Sequence, residues 1–553
     1  MANGDGHPTL HLAASLGHLE AIRTILRHGE NVNKVAWKGY TALHIAANNG
    51  HVDVIKYLIS QGAEVNKGDN DGWTALHSAA MYGHLNVIKY LISQGAEVNK
   101  RDNDGWTALH SDAYNGHLEV TKYLISEGAE INGGNKDGQT ALHIAAKNGR
   151  LDVIKLLISQ GAEVNKGDND GQTALHISAK NGHLDVIKYL IYQGAYVNRS
   201  VEGGQTALHI AAKNDHLDSI MYLVRQGAEV NKGDNDGWTA LHSAAMNGHL
   251  DVIKYLISQG AEVNKGDNDG WTALHSGANN GHLDVIIYLI SEGAEINGGN
   301  KDGQTALHIA AKNGRLDVIK LLISQGAEVN KGDNDGQTAL HISAKNGHLD
   351  VIKYLIYQGA YVNRSVEGGQ TALHIAAKNG HLDSIMYLVR QGAEVNKGDN
   401  DGWTALHIAA KNDHLRVLIF LINQGAEVKR GDNDGQTALH IAAKNGHLDV
   451  IKYLINQGAH VNRSDKGGQT ALHIAAKNGH LDVIMYLISQ GAEINGGNKD
   501  GQTALHIAAK NSYIDILKVL LANGARSDTE DKAGNIPIHY ARDESVRQMI
   551  FPR

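Results

Sequence analysis

The 553-residue chain has no cysteine, only 3 prolines and 2 phenylalanines, and just 5% aromatic residues. Without thiols there is no disulfide framework, thiolate metal site or cysteine nucleophile. The first residues lack the basic-then-apolar pattern of a leader, so an intracellular, cytoplasmic location is expected. No purely apolar run is longer than Val417 to Ile422, against the roughly 20 residues needed to span a bilayer, so direct membrane insertion is not expected. A formal net charge of −8 with both signs interspersed argues against a nucleic-acid binder or one of anionic membranes. With 42% apolar residues, the chain is expected to be soluble and folded.

Glycine (64) and histidine (33) are abundant, and they are not scattered. Thr-Ala-Leu-His recurs with its histidine at every thirty-third position from His44 to His506. One further step each way reaches His11, in Pro8-Thr9-Leu10-His11, and His539, in Ile536-Pro537-Ile538-His539. Seventeen units follow without an insertion, which leaves no residues for another domain.

The unit from Asp432 to Ser464 shows the local logic. Thr437 suits an N-cap, and Ala438, Leu439, Ile441, Ala442 and Ala443 follow as a short apolar helix that Asn445-Gly446 stops. His447-Leu448-Asp449 starts a second helix, in which Leu448, Val450, Ile451, Leu454 and Ile455 keep a period near 3.6 until Gln457-Gly458. The Gly-, Asn- and Asp-rich remainder reads as an extended turn. Such a unit cannot close a core alone and must stack on its neighbours.

Gly435-Gln436-Thr437-Ala438-Leu439-His440-Ile441-Ala442-Ala443, then Asn445-Gly446-His447 and Gly458-Ala459-His460-Val461-Asn462, resembles the ankyrin repeat. Ala stands where that family's motif more often has Pro, a change that keeps high helix propensity. The resemblance implies an all-α, curved and superhelical solenoid of helix-turn-helix units joined by β-hairpin-like loops. Residues 1–553 would form a single continuous array, its first and last units more polar and acting as caps. Turn fingers and first helices would line a concave groove. The Leu-His histidine would bond the threonine and the backbone near the turn.

No catalytic constellation is visible. Seventeen histidines hold the Leu-His position and thirteen the Gly-His position seven residues on, leaving His7, His28 and His460. A helix end separates the two sets, so neither a metal site nor a cofactor is expected. Asp168-Asn169-Asp170-Gly171 and its seven equivalents superficially resemble a calcium loop, but Lys166 and Ile177 stand where such a loop needs ligands. No hydroxyl or carboxylate is paired with a positioned base, so the protein is not expected to be an enzyme.

Information therefore lies where units break their own consensus. Gln precedes the threonine in most units, but Tyr40, Trp73, Trp106, Trp238, Trp271 and Trp403 replace it, at the expected root of the finger. Met81, Tyr114, Met246 and Asn279 replace the usual lysine near the end of the first helix. One candidate patch is Tyr40, Trp73, Met81, Tyr82, Trp106 and Tyr114, and a second is Trp238, Met246 and Trp271. Either the rings contact a partner or they cover the helix end beneath them. Residues 66–242 recur as 231–407, and the differences gather in units 3 and 4, including Tyr82/Asn247, Arg101/Gly266, Asp112/Gly277 and Tyr114/Asn279. Asp112 stands where most units have alanine, implying tight contact beneath the next unit and a weak junction of units 4 and 5, unless the carboxylate tips into solvent or bonds a neighbouring side chain. Lysines from Lys312 to Lys510 form a row at one phase, either greeting an acidic peptide or neutralised by finger aspartates.

The expected function is a scaffold or adaptor that binds other proteins or peptides through groove and fingers. The alternative is a mechanical spring or spacer. Leu91 to Asn99 (Leu-Ile-Ser-Gln-Gly-Ala-Glu-Val-Asn) resembles the ankyrin sequences modified by the oxygen-sensing asparaginyl hydroxylase, which makes Asn99 a possible substrate position. The array is also compatible with being part of a larger product.

Overall fold

Each repeat begins where a threonine closes the preceding turn. In the computed structural model, which describes residues 9–550, Thr41 has extended backbone angles (φ −94°, ψ 167°) and caps the helix Ala42–Asn48. Its N–H donates to Nδ1 of His44 at 3.1 Å, while the His44 N–H turns back toward the Thr41 hydroxyl. This is a capping box with an imidazole where a carboxylate is usual. Gly50, at φ 76°, ends the helix in the left-handed region and lets the ring of His84 from the next unit pack against it, because a Cβ there would lie 2.7 Å from Nδ1. The second helix, Val52–Ser60, sets Val54, Ile55 and Leu58 against Ala42, Leu43, Ala46 and Ala47, all buried. Small alanines on the first helix let the two helices approach closely, so the apolar contact is continuous from one pair to the next. The reference unit matches its sequence reading closely, with helices Ala438–Asn445 and Leu448–Asn456.

Among the described residues the structure is helical, with no strand beyond isolated bridges such as Val35 to Thr41 and Ser200 to Thr206. Cα packing groups the chain into two units, Met1–Ala294 and Glu295–Arg553. In the first, helix pairs run from Thr9–Ser15 with Leu19–Arg27 to Ala273–Asn280 with Leu283–Ser291. In the second they run from Ala306–Lys312 with Leu316–Ser324 to Ala504–Lys510 with Ile514–Ala522, closed by a 3-10 turn at Pro537–Tyr540 and the helix Glu544–Ile550. Within each unit first helices pack on first helices and second on second. His7 and Pro8 lie outside the described residues.

The histidines account for the register. Because the Thr41 N–H occupies Nδ1 of His44, the ring's proton sits on Nε2, which donates to the Trp73 carbonyl of the following unit at 2.8 Å. His110 and His308 make the same reach, to Gln139 O and Gln337 O, both at 3.0 Å, whereas His176 bonds the nearer Arg199 O at 2.9 Å. The Gly-His set reaches the other way: Nε2 of His84 meets Asn48 O at 3.0 Å, and that of His183 meets Lys147 O at 3.0 Å. Where arginine replaces this histidine, Nε of Arg150 takes over the bond, to Tyr114 O at 3.0 Å.

In the fingers, Oδ1 of Asp69 accepts the N–H groups of Asp71 and Trp73, both at 2.9 Å, an Asx turn that consumes the carboxylate oxygen. Asn103 of the next finger donates its N–H to Asp71 O at 2.8 Å. The Asp-Asn-Asp-Gly strings are turn chemistry.

Two stability predictions follow from these contacts. Burial pushes the imidazoles of His44, His77 and their equivalents below the usual range, to about 4 at His110 and His341. The unfolded chain then binds protons that the folded chain refuses, so stability is complete above about pH 6.5 and falls as pH drops toward 4, by about 3 kcal/mol each for His110 and His341 once titrated. The urea midpoint should fall steeply between pH 7.5 and 5, and a midpoint that stays level would contradict the assignment. Asp215 stands at the Gly50 position with φ 62°, where its counterpart is Gly380. Asp215→Gly should raise stability by roughly 0.5–1 kcal/mol, seen as slower amide exchange in residues 207–225.

Candidate binding surface

Tyr40, Trp73, Met81 and Tyr82 converge on a cavity of about 420 Å³ between the helices Ala42–Asn48 and Ala75–Met81, floored by His44, Ile45, Asn48 and Ser78. Trp106 and Tyr114 form a ring pair, centroids 6.5 Å from each other. Trp238 and Met246 line a separate, smaller cavity of about 230 Å³. Trp271 and Trp403 each tilt over the histidine of their own unit, at 6.0 and 6.3 Å.

Every finger-root tryptophan does the same, Trp73 lying 5.7 Å from His77 and Trp106 6.1 Å from His110. These rings are half-buried, because the residue before the threonine is also the one whose carbonyl receives the preceding histidine. Each lies beside the histidine that caps its own first helix. Of the flagged rings Tyr82 and Tyr114 project furthest, 54% and 42% exposed, and the pre-threonine column does not contain Trp37, which is 69% exposed; away from the flagged positions Tyr192, Tyr196, Tyr357 and Tyr361 are exposed as well. Trp37 sits at the finger tip, where other units hold polar residues such as Asn70 and Asn103, and it walls the same cavity as Tyr40. Comparing finger tips would have found it.

The cavity's charge is defined by its neighbours. Burial and then the carboxylates of Asp69 and Asp71 raise the Tyr40 hydroxyl above its ordinary pKa, while His44 is kept neutral by burial. No group of three His, Cys, Asp or Glu among the described residues is placed to hold a metal ion. No helix among them is long and apolar enough to cross a membrane.

A family model described as ankyrin repeats (3 copies) matches overlapping segments from residue 10 to residue 498, and another, ankyrin repeats (many copies), matches residues 487–541. The chain belongs to the ankyrin-repeat family. Comparison with curated proteins gives no match. Ankyrin repeats are protein-interaction modules, and the helix-pair units with their histidine-tied fingers are the repeats of this array.

The divergent ankyrin units 3 and 4 also contain Asp112, fully buried on the helix Ala108–Asn115. Its carboxylate bonds a side chain of its own unit: the Thr121 hydroxyl, from the second helix Leu118–Ser126, donates to Oδ2. In the duplicated copy the two positions are Gly277 and Ile286, and a Cβ on Gly277 would lie 3.4 Å from the Ile286 side chain. Aspartate and threonine thus replace glycine and isoleucine as a pair, so the carboxylate is not left unpaired. Its other oxygen, Oδ1, has no partner, and burial raises the group to about 7 against the pull of the Thr121 bond.

The sign is opposite to that of the histidines. The folded state holds a proton that the unfolded chain releases near pH 4, so this group withdraws stability as pH rises from about 4 through 7. Between pH 6.5 and 8.5 the opening free energy of residues 108–126, from hydrogen exchange corrected for intrinsic rates, should drop by about 1 kcal/mol relative to Asp112→Asn. Parallel curves for the two proteins would remove the assignment.

Proposed function

We propose that the chain is a non-catalytic scaffold or adaptor that binds partner proteins or peptides across its fingers and first helices. The observation that carries this reading is the cavity at Trp37, Tyr40, Trp73, Met81 and Tyr82. Exposed aromatic and methionine surface of this kind is what protein interfaces use as anchors. The unbroken 33-residue phase supports reading residues 1–553 as one array with capping ends, on which affinity is the sum of contacts over several repeats. The reading has no cofactor or metal, places the protein inside the cell, in the cytoplasm, and assigns it neither nucleic acid nor direct membrane insertion. Of the flagged positions, Trp106, Tyr114, Trp238, Met246, Trp271 and Trp403 are secondary contacts in this reading.

A mechanical role is favoured by one specific feature. Each histidine rung ties a repeat only to its immediate neighbour, so units can part in sequence under load. Asn99 as a substrate of an asparaginyl hydroxylase belongs to the proposal as well. Its Nδ2 donates to Gly128 O and its Oδ1 accepts from the Glu130 N–H, both at 2.9 Å, so the side chain serves as a turn brace between modifications.

Affinity capture with the full chain beside its Trp73→Ala/Trp106→Ala variant tests the binding reading. Proteins retained by the parent should be depleted at least tenfold on the variant, with circular dichroism showing the helices intact. Equal recovery on both would remove the aromatic surface from the reading.

A further inference from the structure

The cavity at Tyr40 has a structural counterpart five repeats away, and the difference between them points to a ligand. Position for position, Gln205, Lys213, Trp238, Met246 and Asn247 stand where Tyr40, Asn48, Trp73, Met81 and Tyr82 stand. The counterpart is lined by Lys213 together with Asp234 and Asp236, the equivalents of Asp69 and Asp71. There the chain's own lysine lines a recess together with a tryptophan and two finger aspartates.

The same lysine phase recurs beside an aromatic face at Trp403, whose ring lies 5.2 Å from Nζ of Lys411. A further recess, near Gln370, is lined by Lys345 and Lys378. In the first four repeats this lysine is replaced by Ser15, Asn48, Met81 and Tyr114. The finger carboxylates Asp69 and Asp71 are kept within electrostatic range of Tyr40 without lining the recess, and Trp37, Tyr40 and Tyr82 are added around the space that the missing side chain leaves. Lys38 lies with Nζ 4.6 Å from the Trp37 ring, but it does not line the recess.

Resting on the protein-binding reading, we propose that this recess takes the basic side chain, lysine or arginine, of a partner peptide, which occupies the place that the array's own lysine fills elsewhere. Aromatic faces attract a cation through the ring quadrupole, and the attraction grows where water is excluded. The two carboxylates supply the longer-range field that selects a positive group. No lining side chain competes with it, since His44 is buried and uncharged and Asn48 is neutral. The ring-walled space is larger than its lysine-lined counterpart, about 420 against 230 Å³, so a side chain entering from outside fits where an internal one was lost.

A random 12-residue peptide library displayed on phage, selected against the full chain, supplies the probe. Selected sequences should share a lysine or arginine at one fixed place. Fluorescence anisotropy with the labelled synthetic peptides should show at least a tenfold loss of affinity when that residue becomes norleucine. Asn48→Lys, which restores a residue that other repeats carry at this phase, should cause a comparable loss without changing the helical circular dichroism. Binders without a basic residue, or affinity that Asn48→Lys leaves unchanged, would overturn the proposal while leaving protein binding by the array in place. A library that yields no binder would overturn it too, and only the additional failure of affinity capture would remove the broader reading.

Discussion

A neutral imidazole with one nitrogen facing backward and one facing forward sets the terms for the whole molecule. From Thr41 to Thr503 the threonine amide claims Nδ1, which leaves the ring proton on Nε2 for a backbone carbonyl, that of the following repeat at His44 and a nearer one at His176. The same ring caps the helix that carries it. One side chain thereby satisfies a helix start, fixes the finger's entry and joins two repeats. Because both nitrogens are committed and the ring is buried, charging it would put a proton where an amide hydrogen already points. The second histidine set, pointing to the preceding repeat, completes a two-way tie without which a 33-residue unit would have little to hold it upright.

This arrangement commits most of the reactive side chains to holding the fold. Histidines are consumed by carbonyls, finger aspartates by backbone amides, and asparagines such as Asn66 by the glycine carbonyl and amide of the next turn. What remains variable is the outer edge of the finger and the last turn of the first helix. There a tryptophan, a tyrosine or a lysine can be exchanged without disturbing the ties below. Function in such an array is written as departures from a pattern that the backbone enforces.

Much of this was legible in the residues. The helix bounds followed from threonine caps, glycine stops and a 3.6-residue apolar period, all local signals. The pairing of threonine with histidine was implied by the family resemblance and appears directly in the structure. Two things were not legible, and for different reasons. Half-burial of the tryptophans depends on a carbonyl at their own position being reached from the preceding repeat, a contact twenty-nine residues away in sequence. The Trp37 finger tip breaks a different column of the consensus from the one that drew attention to Tyr40, so its place in the same cavity emerges only in three dimensions. Lys213 likewise stands near Trp238 across a repeat boundary, a neighbour relation that a list of phases does not convey.

The Asp112–Thr121 pair carries a consequence for how two copies of one segment can drift apart. Gly277 with Ile286 fills the same gap between helices with hydrocarbon, so the two solutions are alternative packings that differ at two sites. Of the single-step intermediates, aspartate facing isoleucine strands an acid in an oily cleft, whereas glycine facing threonine leaves only a small void and a hydroxyl able to turn to its own helix, as Thr121 does toward His117 O. Travel between the two packings, in whichever direction it ran, had one passable road, with the hydroxyl arriving before the acid and departing after it.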